Sequence, residues 1–249
     1  MADVVVTLLG TGDAFGSGGR LQTCFHVRSR EGEFLIDCGA TTCIAMKRNR
    51  IALSAINAVL ITHFHADHFA GLPFLLIESR IQKRSTPFIV AGPPGIAERV
   101  SAAMDVLFPG AGMTFGFPVN FVEYAEGVVA DLGCARVAAW PVSHVPLTRP
   151  HALRIETDGR TIAYSGDTLW TEALQPVARA ADLFLCEVST LDGPAGIHLD
   201  LATLKANRAA LECRKLVITH MGDEVLASAE RVRHELDALL ADDGMVLTL

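Results

Sequence analysis

The chain has 249 residues, room for one large domain or two small ones. Half of them are hydrophobic and 20% charged, with a formal net charge of −7. This balance excludes a disordered chain and weighs against sequence-independent polyphosphate binding, which relies on Lys and Arg. A compact anion held by metal charge stays compatible with it.

The opening Met1-Ala2-Asp3-Val4 carries an acid where a signal peptide needs Lys or Arg, and its apolar run stops after Leu9. Neither a signal peptide nor a membrane span is expected. Six cysteines (Cys24, Cys38, Cys43, Cys134, Cys186, Cys213) form no Cys-x-x-Cys pair, so reduced, mostly buried thiols in a cytoplasmic protein are expected.

Strands are predicted at Val4–Leu9, Thr23–Arg28 and Glu33–Asp37, separated by glycine turns at 10–19 and 31–32. A helix follows at Thr42–Arg50, then a continuous apolar strand at Ala58–Thr62, of the kind buried on both faces. That strand runs into the loop 63–68. Helical periodicity covers Phe69–Arg84, with basic residues in its last turn. Strand Pro87–Ala91 and helix Ile96–Phe108 lead to a glycine-rich apolar loop, Pro109–Pro118, readable as a substrate lid or a subunit contact.

Strands are then expected near Asn120–Tyr124, Arg136–Pro141, Ala152–Glu156 and Arg160–Tyr164. The end alternates: helix 172–181, strand 183–188, helix 201–211, strand 215–219, helix 228–240, strand 245–249. Without repeat, linker or low-complexity tract, residues 1–249 read as one domain of two packed sheets flanked by helices.

The chemistry gathers in Thr62-His63-Phe64-His65-Ala66-Asp67-His68. Three imidazoles and a carboxylate in six residues form a dense set of borderline metal ligands. His63 and His65, two apart in an extended segment, point the same way and can share one ion. Asp67 and His68 lie where the chain turns into a helix and can face a second. Further donors follow other predicted strands: His144 after Arg136–Pro141, Asp167 after Arg160–Tyr164 and His220 after 215–219. Strand carboxyl ends collect ligand sites in layered folds.

With these residues in place, the chain resembles the metallo-β-lactamase superfamily, whose His-x-His-x-Asp-His signature stands at His63–His68. Leu9-Gly10-Thr11-Gly12 and Ile36-Asp37-Cys38-Gly39 are similar to its ribonuclease Z-like branch. The resemblance implies an α/β fold, the αββα four-layer sandwich of two mixed sheets. It implies two Zn2+ ions, with Mn2+ or Fe2+ as alternatives. His63, His65 and His144 would hold one, Asp67, His68 and His220 the other, and Asp167 would bridge them. It also makes His198, supported by Glu187, a proton donor to a scissile phosphate. His26, His151 and His234 match no motif position.

The expected function is a dinuclear-metal hydrolase, a phosphodiesterase acting on small or cyclic phosphodiesters. A water between the metals, its pKa lowered from about 15.7 toward neutrality, would supply hydroxide, with Asp67 holding the nucleophile's proton. The alternative is a lactonase, thioesterase or sulfatase with the same site. The tRNA-gripping arm of ribonuclease Z lies between the positions of His144 and Asp167, which only 22 residues separate here. No extended nucleic acid and no membrane partner are therefore expected; a homodimer is.

Overall fold

The computed structural model describes residues 3–193 and 196–249. One seven-stranded sheet contains β1 (Val5–Gly10), β2 (Cys24–Arg28), β3 (Glu33–Ile36), β4 (Ile56–Leu60), β5 (Phe88–Gly92), β6 (Val119–Glu123) and β14 (Met245–Thr248). Its spatial order is β14-β1-β2-β3-β4-β5-β6. The other holds β7 (Ala130–Asp131), β8 (Arg136–Pro141), β9 (His151–Thr157), β10 (Arg160–Tyr164), β11 (Leu183–Glu187), β12 (Leu216–Thr219) and β13 (Leu239–Leu240). These lie in the order β13-β12-β11-β10-β9-β8-β7. Each sheet mixes both pairing types: β3 to β6 and β10 to β13 run parallel, the remainder antiparallel.

The period-two alternation of side chains explains the layering. Phe34 and Ile36 of β3, Ala58 and Leu60 of β4, Ile162 and Tyr164 of β10, and Leu183 and Leu185 of β11 meet in one core between the sheets. Phe25 and Tyr164 close this interface edge to face, ring centres 5.2 Å apart, a geometry worth about 0.5–1.5 kcal/mol beyond burial. The alternate residues face outward. Leu35 and Val59 pack under α1 (Thr42–Arg48), α3 (Leu72–Ile81) and α4 (Ile96–Leu107), while Phe184 and Cys186 pack under α5 (Leu174–Ala178), α6 (Leu201–Asn207) and α8 (Ala229–Leu236). This is the expected αββα sandwich.

Several predicted helices are shorter than their periodicity suggests. The stretch 69–84 splits into α2 (Ala66–Phe69) and α3. At the break, Gly71 N–H donates to the Cys38 carbonyl at 2.8 Å. A Cβ at Gly71 would lie 2.1 Å from the Gly39 carbonyl oxygen, so only glycine permits this approach. The 228–240 helix stops at Leu236, where Asp237 turns left-handed with φ 48°. Leu239 and Leu240 then pair with Val217 and Ile218 as an edge strand. Similarly, the 201–211 helix tightens after Asn207, and 172–181 retains five helical residues. In the 109–118 loop, Phe115 and Phe117 are buried in the outer core beside α4. All six cysteines are free thiols, four of them buried.

Candidate metal centre

The donor side chains converge at one edge of the sandwich, past the carboxyl ends of β3, β4, β8, β10, β11 and β12. The buried Asp37, just beyond β3, organises the first group. Its Oδ1 accepts the Thr62 N–H at 2.7 Å and its Oδ2 accepts the Thr62 hydroxyl at 2.8 Å. Oδ2 also pairs with His68 Nδ1 at 2.6 Å, while Thr62 Oγ1 pairs with His63 Nδ1 at 3.1 Å. Both imidazoles therefore have Nδ1 engaged and Nε2 turned to the centre, the arrangement that fixes a ligand's tautomer and orientation. His144 is held likewise, its Nδ1 2.8 Å from the Ile197 carbonyl oxygen.

Two donor sets result. In the first, His65 Nδ1 lies 3.2 Å from His63 Nε2 and 3.0 Å from His144 Nε2. Asp167 Oδ2 is 3.7 and 4.0 Å from those two Nε2 atoms. In the second, His68 Nε2 lies 3.2 Å from both Asp67 Oδ2 and Asp167 Oδ1. His220 Nε2 is 3.2 Å from Asp67 Oδ2 and 3.3 Å from Asp167 Oδ2. Asp167 belongs to both. Nitrogen and oxygen donors at ~2.0–2.1 Å from a tetrahedral zinc stand about 3.3–3.4 Å apart, so both sets fit a divalent cation. His68 Nε2 and Asp167 Oδ1 are buried without a hydrogen-bond partner among the described residues, a costly state for polar atoms unless a cation satisfies them.

Charge divides the sets. Burial, reinforced by positive charge at His68, holds His63 well below the usual histidine range. Burial likewise lowers His65 and His144. In the second set burial pulls the same way, but the carboxylates overcome it. Asp167, Asp37 and Asp67 hold His68 well above its ordinary value, and Asp167 leads those that raise His220 to about 9. Burial opposes ionisation of Asp167, yet His220 and His68 keep its carboxyl well below the usual range.

A third pair adjoins the bridge. Glu187 closes β11 with Oε2 3.0 Å from His198 Nδ1, and its Oε1 accepts the Thr168 N–H. His198 stacks on His220 with ring centres 5.3 Å apart, and its Nδ1 is 3.8 Å from Asp167 Oδ2. Glu187, His198, Asp167 and His220 also cluster closely enough to hold a cation. Both Glu187 oxygens are already engaged, however, which makes that carboxylate an anchor for His198. Backbone strain collects at the same edge: Asp37 and His220 have φ of 57° and 56°, and Gly166 takes the same left-handed region at 58°. A Cβ at Gly166 would meet the His151 carbonyl oxygen at 2.7 Å.

All nine expected site residues thus lie in one cluster. His26 instead pairs with Glu33 at 2.9 Å, His151 Nδ1 with the Arg149 carbonyl at 2.8 Å, and His234 sits on α8 outside the cluster. Asp37 is the functional residue that motif reading left without a role. Its signal, an acid ending a buried strand, was visible in Ile36-Asp37-Cys38-Gly39.

The family profile described as anti-Pycsar protein Apyc1 matches residues 4–238. The chain belongs to this family. The chain also aligns with ribonuclease Z: that of Mycobacterium bovis is 31% identical over 198 residues, spanning 75% of this chain and 71% of that protein. Among solved structures, the metallo-β-lactamase fold protein YhfI from Bacillus subtilis superposes over 100% of both chains, with a TM-score of 0.83 at 16% identity. The short form of human tRNase Z covers 98% of each chain, with a TM-score of 0.78 at 23% identity. This anti-Pycsar family chain is a ribonuclease Z-like member of the metallo-β-lactamase superfamily and a metal-dependent hydrolase acting on ester bonds.

Proposed function

We propose that the chain is a dinuclear zinc phosphodiesterase acting on small or cyclic phosphodiesters. The single observation that carries this reading is Asp167, shared by two donor sets and adjoined by the Glu187–His198 pair. His63, His65 and His144 would hold one cation, Asp67, His68 and His220 the other, with Asp167 within reach of both. When bound, the cations supply Lewis-acid charge and lower the pKa of a water, from about 15.7, toward neutrality.

The remaining work falls to side chains. Asp67 holds the nucleophile's proton. Glu187 engages His198 Nδ1 and leaves Nε2 as the nitrogen available to a substrate. Burial opposes charging of His198, but Glu187 wins and raises its pKa, which suits the ring to donate a proton to the departing oxygen. Carboxyl, thio- and sulfate esters are the rival bond types, and this donor favours a phosphodiester.

Small substrates are preferred because residues 145–166 form the β9–β10 hairpin and a short turn, with no protruding arm, and because the net charge is −7. One hydrolase domain is supported by β14, which brings the last strand back beside β1. A homodimer is supported by exposed Ile81, Val106 and Leu107 near the Phe74–Phe108 contact of α3 and α4. Cytoplasmic action fits the free cysteines; no helix among the described residues is long and apolar enough to cross a membrane.

The test is metal analysis of the purified protein together with turnover on cyclic and linear phosphodiesters, a lactone, a thioester and a sulfate ester. Two zinc ions per chain and selective phosphodiester cleavage are expected. Faster lactone or thioester turnover would overturn the assignment.

A further inference from the structure

Water-exposed apolar side chains are ordinary when scattered, but two of those here are carried by loops tied to the metal centre. The two most exposed large hydrophobic residues among those described are Phe15, at 96%, and Leu147, at 83%. Both sit on short loops fastened directly to the metal centre, one at each end.

Phe15 projects from the loop after β1. The root of that loop is tied to the second donor set, since the Thr11 carbonyl accepts the His220 N–H at 3.1 Å. Its tip is held on three sides. Asp13 accepts the N–H groups of Phe15 and Ser17 at 3.1 and 2.9 Å and the Ser17 hydroxyl at 2.6 Å. Gln22 donates to the Ala14 carbonyl at 3.1 Å, and its other amide atom accepts from Ala40 N–H at 2.8 Å, beside the Gly39–Asp67 backbone approach. Gly18 N–H donates to Asp223 at 3.1 Å on α7 (Asp223–Ala227), just past His220. The backbone is thus fixed while the phenyl ring stands exposed among the described residues.

Leu147 occupies the opposite end. It lies in the turn 146–148, three residues past His144. The Thr148 carbonyl there accepts the Phe64 N–H at 3.1 Å, between His63 and His65. A well-anchored loop that leaves its largest apolar group in water has left it for something that arrives later.

We propose that Phe15 and Leu147 form an apolar rim that receives the non-reacting substituent of the substrate, and that this substituent is planar or apolar. The inference rests on the phosphodiesterase reading above. Phe15 supplies a stacking face at the His220 end and Leu147 an aliphatic contact at the His144 end. Both are specificity-determining, because binding at the spectator group leaves the bond-breaking groups unchanged.

The experiment compares two synthetic diesters with one leaving group: phenyl p-nitrophenyl phosphate and methyl p-nitrophenyl phosphate, read as p-nitrophenolate release by the metal-loaded protein. The native chain is expected to prefer the phenyl ester. Phe15→Ala should lower that preference by about 5–10-fold, chiefly through the KM for the phenyl ester, in line with one lost aromatic contact. Phe15→Trp should restore it, and Leu147→Ala should lower it by about 2–5-fold. Equal preference in native protein and both alanine variants overturns the rim. A native protein that cleaves neither diester but cleaves a lactone instead overturns the phosphodiesterase reading. Metal content and melting temperature should match native in every variant, since both side chains are exposed.

Discussion

The two donor sets share Asp167 but are built differently. Asp67, His68, Asp167 and His220 are all buried, and His68 is braced by an aspartate that is itself locked to Thr62. In the other set His65 is half-buried, and His144 depends on the backbone carbonyl of Ile197. The electrostatics divide in the same way, lowering the histidines of the open set and raising those of the enclosed one. His198 adjoins both sets, its ring centre 4.9 Å from that of His144 and 5.3 Å from that of His220.

The largest test breaks both sets together. Asp167→Ala should remove the bridge, so metal content measured by plasma mass spectrometry falls below one ion per chain and activity is lost with it. If two ions remain in this variant, the bridging role fails. His198→Ala should separate chemistry from binding, keeping both ions while turnover drops ~10²–10⁴-fold, the range for a positioned acid. Retention of full turnover would remove the phosphodiesterase assignment's main support.

Asp37→Asn sharpens the contrast between the sets. Loss of a carboxylate behind a metal-binding histidine typically weakens affinity ~10–100-fold, and here the loss should fall more heavily on the enclosed set, because Asp37 touches His68 directly and His63 only through Thr62. A chelator titration should then show one ion weakened more than the other; equal weakening of both would erase the distinction.

Protons give a subtler reading. His68 and His220 have raised pKa values, the latter about 9, so they carry protons at pH 7 that an incoming cation must displace. Affinity of the enclosed set should therefore rise with pH up to about 9. The open set, with lowered histidines, should be nearly flat above neutrality. Calorimetry in buffers of different ionisation enthalpy counts the protons released by each ion. The smallest effect is expected at His151→Gln, whose ring nitrogen meets only the Arg149 carbonyl: metal content and turnover should stay native.

Much of this was legible in the chain order of residues. The His63–His68 run is local, so its donor density and its place after an apolar strand needed no tertiary information. Strand positions were legible from the pattern of apolar residues in each segment; β8, with alternate residues buried, and β10, an apolar run, fall where that pattern puts them. Helix ends were not. The Gly71 break depends on a carbonyl of Cys38, and the stop at Leu236 on an open edge of β12, both distant in sequence. Asp37 shows the same limit at the site, since its partners Thr62 and His68 are 25 and 31 residues away.

The sequence by itself determined the layered fold and the strand ends that carry the candidate donors, because these follow from local periodicity and side-chain chemistry. Only the tertiary structure decided how protons divide among those donors. Whether an imidazole is proton-poor or proton-rich depends on which carboxylates stand within a few ångströms of it, and those neighbours come from different strands. Likewise, Phe15 and Leu147 are unremarkable apolar letters in the chain, and only the closing of two distant loops onto the metal centre sets them at its rim.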